Sequence, residues 1–279
     1  MTTLTLAAPA KLNLFLHVTG RRGDGYHTLE SLFVLIDLAD TIELAERDDD
    51  ALVRSADIAG VSERDDLALR AAHALRDDVD LRRGVSIRVT KRIPQGAGLG
   101  GGSSDAASVL LGLNRLWSLG LSRRHLMGIG AGLGADVPFF LGGEAALARG
   151  IGDVLAPMSV PTGFFAIAVP GVRVPTHAIF AAPELTRSTP SAKMDVFSEG
   201  YGHNDLEGAA AARFPQVGEV VDALRRVSPL ARMTGSGACV FAPFATERDA
   251  HRALSSLPPG TSACVVRTVA RHPLASFAA

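Results

Sequence analysis

The chain has 279 residues, a length that accommodates two domains, and its 28 Lys and Arg against 29 Asp and Glu leave a net charge of −1. That balance excludes a basic nucleic-acid surface and an acidic solvating tail, while 47% apolar residues predict a buried core. Two cysteines, Cys239 and Cys264, are too few for a disulfide framework or a zinc site, and each sits in an apolar run as a small buried hydrophobe. A cytoplasmic chain is expected, since the start MTTLTLAAPAKLN has no cationic segment before an apolar one and no stretch approaches the ~20 apolar residues of a membrane span.

Leu12, Leu14, Leu16 and Val18 alternate with Lys11, Asn13, Phe15 and His17, which predicts a strand carrying Lys11 and Asn13 on the face opposite the leucines. A turn-rich GRRGDGYH follows, then strand-like LFVLIDLAD and TIELAE, then a solvated acidic loop from Glu46 to Asp50. Asp66 is a candidate cap for a helix with Leu67, Ala71, Ala74 and Leu75 on one stripe. Val85, Ile87 and Val89 mark a strand ended by Pro94. Ser103 or Ser104 can cap the next helix, whose buried stripe is Ala107, Leu110, Leu111 and Asn114, and Ser122 opens another through Leu133.

Prolines and lost periodicity between Leu155 and Gly163 suggest a boundary, giving domains 1–157 and 158–279. Beyond it come a strand in FFAIAV and a helix with Val217, Val220, Val221, Leu224 and Val227 in register. A strand in ACVFAPF, a helix opened by Thr246 with Asp249 three residues on, and a strand in ACVVRTV complete the chain. Strands and helices mix without strict βαβ repetition, so the fold class is α+β.

Five of the 29 glycines lie between positions 96 and 102, in PQGAGLGGGSSD. Gly96, Gly98 and Gly101 formally match a dinucleotide fingerprint, but the acidic residue wanted ~20 residues on is replaced by RLWSLGLSRR. No lysine follows the glycines, so a Walker loop is excluded. What remains is an anion cradle of backbone N–H groups at a helix start, where the dipole favours phosphate.

Pro94 to Ala107 resembles the phosphate-binding motif of the kinase superfamily of galactokinase, homoserine kinase and mevalonate kinase, the GHMP kinases. PAKLNLFLHVTGRRGDGYH and MTGSGACVF resemble its first and third motifs, in the same order and over nearly the whole length. Lys11-Leu12-Asn13, GDGYH, the doubled glycine before Ser103-Ser104-Asp105, and GADVPFFL are similar to the branch that phosphorylates CDP-methylerythritol, a CDP-linked tetritol of isoprenoid-precursor synthesis.

The resemblance implies a two-domain α+β fold with its active site in the interdomain cleft, and ATP-dependent phosphorylation of the tetritol's 2-hydroxyl. It makes Asp136 the general base and places Lys11 between that carboxylate, the hydroxyl and the transferring phosphoryl group, where its charge offsets what develops on the γ-phosphoryl oxygens. ATP would be held by Pro94, Gly96, Gly98, Leu99, Gly100, Gly101, Gly102, Ser103, Ser104, Lys91 and Asp66. Asn13, Thr176, Gly235 and Ser236 would contact the acceptor. Its cytosine would stack on Tyr26, with Phe180 opposite, and meet His27 at its edge. Mg2+ is expected with ATP, with its ligands open between Ser103, Ser104, phosphates and water. Asp66-Leu67 stands where the family shows Asn-Leu, and Asp accepts but does not donate. A mevalonate or homoserine kinase would have no use for Tyr26-His27. A regulator without turnover would be expected to lack Lys11 or Asp136, and a Rossmann oxidoreductase would bind a nicotinamide.

Overall fold

Residues 2–191 and 200–278 are described by a computed structural model. Two long strands organise it. Strand β1 (Thr3–Arg21) pairs antiparallel with β2 (His27–Arg47), from Thr3 opposite Ala45 to Arg21 opposite His27. The further strands of the first half are β3 (Leu52–Arg54), β4 (Gly84–Thr90), β5 (Ala146–Arg149) and β6 (Val154–Pro157). The second half adds β7 (Phe164–Val169), β8 (Arg232–Met233), β9 (Val240–Phe244) and β10 (Ser262–Val269). LFVLIDLAD and TIELAE are one strand because β2 changes partners along its length. It meets β5 at Ser31–Phe33, β10 at Leu35–Ile36 and β4 at Thr41–Arg47. The main path of the ten-stranded sheet is β3-β4-β2-β10-β7-β9-β8, and among the described strand pairs only β3 with β4 is parallel. Such pairing fits α+β rather than a doubly wound sheet.

Eight α-helices cover the sheet among the described residues: α1 (Leu67–Asp78), α2 (Gly101–Leu116), α3 (Arg123–Ala131), α4 (Val137–Gly142), α5 (Thr176–Phe180), α6 (Asp205–Arg213), α7 (Pro215–Arg225) and α8 (Glu247–Ala253). Asp66, Ser122 and Thr246 cap α1, α3 and α8 by accepting backbone N–H bonds, as their sequence positions suggest. Helix α2 departs from expectation. Its N-cap is Gly100 in the left-handed conformation, φ +73, with no side-chain cap, and Ser103 and Ser104 lie inside its first turn. The glycine wins because the chain must turn sharply out of the loop, a conformation a serine rarely adopts. The α1 stripe is also rotated, burying Ala68, Leu69 and Ala72 while Leu67 and Ala74 are half-buried. Val227 lies beyond the end of α7 and is 46% exposed.

Helix α2 is buried from Ser104 to Asn114, with Gly112 so close to the ladder that a Cβ there would stand 2.4 Å from Leu6 Cδ1. The first core packs α1 to α4 on β1, β2 and β4, and the second packs α5 to α7 on β7 and β9 together with Leu16 and Val18 of β1. A third joins Leu12 and Leu14 to Phe165, Ile167 and Phe241. Because β1 contributes to all three, both of its faces are closed and the anticipated polar face is buried: Lys11 is 4% exposed and Asn13 2%. The chain end returns to the first core, where Asn114 donates to Phe277 O, Arg123 to Ala275 O and Ala278 O, and His272 N–H to Gly143 O. No helix among the described residues is long and apolar enough to cross a membrane.

Candidate active site

A bulge in β1 begins the site. Its pairing with β2 shifts between Pro9 and Lys11, and the groups released from the ladder fasten the glycine loop. Lys11 N–H donates to Leu99 O at 3.0 Å, and Ser104 Oγ donates to Pro9 O at 2.6 Å. Gly100 lets the two segments touch, since a Cβ there would lie 2.9 Å from Phe140 Cζ and 3.1 Å from Lys11 Cγ.

The Lys11 ammonium is set by three neighbours. Nζ donates to Asn13 Oδ1, stands 3.6 Å from Asp136 Oδ2, and lies 4.8 Å from the centroid of the Phe33 ring. Asp136 arrives as the residue before α4, with no cap bond of its own, so its carboxylate is left facing the lysine. Asn13 is in turn fully engaged: Nδ2 donates to Ser31 Oγ, which donates to Phe15 O, and Oδ1 also accepts from Thr234 Oγ1 at 3.4 Å. The Asn13 backbone N–H donates to Thr234 Oγ1 at 2.8 Å.

Thr234 belongs to the turn Thr234–Gly237 between β8 and β9, which comes from the second half and meets the glycine loop backbone to backbone. Cys239 N–H donates to Ala97 O, and a Cβ on Gly235 would stand 3.0 Å from Gly98 O. Asn204, the N-cap of α6, holds this turn from behind, with Nδ2 donating to Met233 O and Gly235 O, each at 2.8 Å. Glu207, three residues on, accepts from Met233 N–H instead of closing a capping box. Ser236 Oγ and Thr176 Oγ1 are 2.7 Å apart.

These segments enclose a cleft of about 770 Å³, lined by Lys11, Asn13, Asp136, Thr176, Gly235 and Ser236 together with Tyr26, His27 and Phe180. Tyr26 is 65% exposed at its edge, while Phe180 lies stacked on His27, with ring centroids 5.2 Å apart at 29°. Arg187 fixes that stack. Its Nε donates to His27 Nε2 at 3.1 Å and its Nη2 to Phe180 O and Ala182 O. Partial burial, then the charges of Arg187 and Arg21, hold the His27 pKa below its ordinary value. The neutral ring therefore presents Nδ1–H as its free polar edge.

A second cavity of about 330 Å³ lies across the glycine loop, and Gly96, Gly98 and Gly100 line both. Asp66, Lys91, Pro94, Leu99, Gly101, Gly102 and Ser103 line this one. Ser104 lines neither cavity. Lys91 is bound to Asp40 and Asp105, which raise its pKa against its burial. Burial pushes the Asp105 carboxyl up to about 7, with Lys91 opposing and Asp40 adding to the rise. Asp66 caps α1 with Oδ1, and its Oδ2 stands 3.6 Å from Arg54 Nη1. Among the described residues no group of three or more His, Cys, Asp or Glu side chains is arranged to hold a metal.

Sequence reasoning missed Thr234, Ser31, Asn204 and Arg187. Thr234 lies within the quoted MTGSG and Asn204 opens a helix, but their partners are 221 and 31 residues away along the chain.

Residues 66–144 match the family described as GHMP kinases N terminal domain, and residues 183–259 match GHMP kinases C terminal. The 4-diphosphocytidyl-2-C-methyl-D-erythritol kinase of Thiobacillus denitrificans is 54% identical over 270 residues, 97% of each chain. That of Ralstonia pickettii is 50% identical over 276 residues, 97% of this chain and 96% of its own. A crystal structure of 4-(cytidine 5'-diphospho)-2C-methyl-D-erythritol kinase superposes with TM-score 0.83 at 36% identity, covering 95% of this chain and 99% of that one. The homoserine kinase from Cytophaga hutchinsonii shares the fold, with TM-score 0.72 at 17% identity over 98% of this chain and 96% of its own.

Proposed function

Since this chain belongs to the GHMP kinases and is an ATP-dependent small-molecule kinase, we propose that its acceptor is 4-diphosphocytidyl-2-C-methyl-D-erythritol, phosphorylated on the 2-hydroxyl. The observation that carries this reading is the Lys11–Asp136 pair, set beside the glycine ridge that both cavities share. The adenine and phosphates of ATP occupy the smaller cavity, and the γ-phosphoryl group reaches over Gly96, Gly98 and Gly100 into the larger one.

Asp136 Oδ accepts the proton of the 2-hydroxyl as its oxygen forms a bond to the γ-phosphorus, and the bond from that phosphorus to the β,γ-bridging oxygen breaks, releasing ADP. Lys11, held by Asn13, lends positive charge to the phosphoryl oxygens in flight. Phosphoryl transfer needs mainly this positioning and electrostatic support. The Thr234–Gly237 turn closes the cleft from the second half, and Thr176 and Ser236 offer hydroxyls to the acceptor.

Mg2+ would neutralise charge on the ATP phosphates. Oxygen donors suit it, and Ser103 Oγ, beside Gly134 and lining the smaller cavity, is the hydroxyl left for it, since Ser104 is bound to Pro9.

The cytosine fits the His27 end of the cleft. With Nε2 accepting from Arg187, the ring donates from Nδ1, which matches the unprotonated N3 of cytosine and opposes the N3–H of uracil. Tyr26 and Phe180 supply aromatic faces. The test is ADP formation with CDP-methylerythritol, mevalonate and homoserine in parallel. Turnover confined to CDP-methylerythritol supports the reading, and preference for either small acceptor overturns it.

A further inference from the structure

We infer that Arg173 is a ligand of the nucleotide phosphates, a cation delivered across the cleft from the second half onto the glycine loop. The inference rests on the reading of the smaller cavity as the ATP site.

Arg173 follows β7 in the segment Pro170–Pro175. Val174 is buried in the second core and Val172 packs against it, so the alternating side chain between them is turned outward. It lines the smaller cavity. There it lies against Gly96: a Cβ on that glycine, φ +66, would stand 3.1 Å from Arg173 Nε and 3.5 Å from Cγ. Gly96 also lines the larger cleft, so the guanidinium is placed where the two cavities meet and where a phosphate chain must cross between them.

Charge supplies the second argument. The other ionisable side chains lining this cavity are Asp65, Asp66, Lys91 and Asp105. Lys91, the only other cation among the described residues that line it, is neutralised by Asp40 and Asp105. Asp66 is held by the N-terminus of α1, and Ser62 donates to Asp65. Without Arg173, a ligand carrying several negative charges would enter a cavity whose side chains are net acidic, with backbone N–H groups and the Ser103 hydroxyl to receive it. Among the described residues Arg173 makes no hydrogen bond or ion pair, so its guanidinium can turn to phosphate without breaking one. Its planar fork suits two phosphate oxygens.

The same short segment continues into α5, which carries Thr176 and Phe180 to the acceptor cleft. A phosphate held by Arg173 would thus draw the acceptor side of the second half towards the glycine loop.

Calorimetry on the full chain tests this with ADP, a non-hydrolysable ATP analogue and adenosine as probes. Arg173→Ala should weaken ADP and the ATP analogue on the order of tenfold. Adenosine binding should be unchanged, and Arg173→Lys should recover part of the loss. The difference should shrink as ionic strength rises. The thermal midpoint should hold, because the side chain is exposed. Unchanged ADP affinity in Arg173→Ala, or an equal loss for adenosine, overturns the inference. Wild-type turnover is read separately. A wild type inactive on CDP-methylerythritol whose Arg173→Ala variant still shows the phosphate-dependent loss removes the acceptor assignment and leaves this one standing.

Discussion

Gly98 and Thr234 meet with no room for a side chain between them: a Cβ on Gly98 would lie 2.4 Å from the Thr234 carbonyl oxygen. Gly98 also has φ +78, so the position is closed to other residues both by space and by conformation. The contact is where the first half's glycine loop and the second half's turn become one surface. Asn204 braces the turn from the far side. Gly98→Val should therefore separate the two loops, abolishing ADP binding while thermal unfolding stays cooperative. Gly101→Ala should be milder, since its Cβ would meet side-chain atoms at 3.1 Å (Ile93 Cγ2) and 3.3 Å (Lys91 Nζ), not backbone at 2.4 Å, and its backbone is not left-handed. Calorimetric ADP affinity ranks the two, and equal affinities would show that the contact does not shape the site.

Asp136→Asn keeps shape and removes the carboxylate proposed as proton acceptor. It should lower kcat by roughly 10²–10⁴-fold with nucleotide affinity retained. Lys11→Met should be comparably damaging in kcat, and a change confined to KM would make Lys11 a binding group only. Asn13→Ala releases Lys11 Nζ and Ser31 Oγ but keeps the backbone N–H bond to Thr234 Oγ1, so it should lower kcat by less than either while leaving Asp136 in place. Steady-state kinetics of the three variants check the order.

On the proposed reading, Arg187 would act on the cytosine through His27. Arg187→Ala frees His27 Nε2 and loosens the Phe180 carbonyl, so the KM preference for the CDP acceptor over its UDP analogue should narrow. His27→Ala should narrow it as well. Removing the Tyr26 ring should cost about 1–3 kcal/mol of acceptor binding. ATP affinity should be unchanged in all three. A loss of ATP affinity with acceptor KM intact would reassign this corner to the nucleotide.

His272 couples stability to pH. It is 2% exposed, accepts from Leu274 N–H with Nδ1, and pins the chain end to Gly143. Burial first, then the charge of Arg123, lowers its pKa from 6.5 to about 4. The unfolded chain then binds more protons than the folded one between those values, so stability is full above pH 6.5 and falls as pH drops towards 4. This histidine accounts for about 3 kcal/mol of that loss. Denaturant unfolding of wild type and His272→Gln across this range should show a shallower acid decline in the variant. Parallel curves would locate the pH dependence elsewhere.

Local patterns determined much of this protein from the sequence alone. The cap signals at Asp66, Ser122 and Thr246, the apolar periods of α2 and α7, the β-branched residues of β4 and β10 and the apolar run of β7 are short-range, and each element forms where its own residues favour it. The glycine loop was legible for the same reason, since backbone without Cβ atoms before a helix announces an anion site. Tertiary structure decided whatever depends on which surfaces meet. Lys11 and Asn13 look like one polar face of an amphipathic strand, yet β1 is enclosed on both sides, and that burial is why Asn13 must hold the ammonium. Ser104 reads like a cap or a phosphate ligand, but the bulge at Pro9 claims its hydroxyl. The roles of Thr234, Asn204, Arg187 and Arg173 come from approaches between segments far apart in the chain. Such contacts are set by how the two halves pack against each other, and periodicity and local propensity carry no record of that packing.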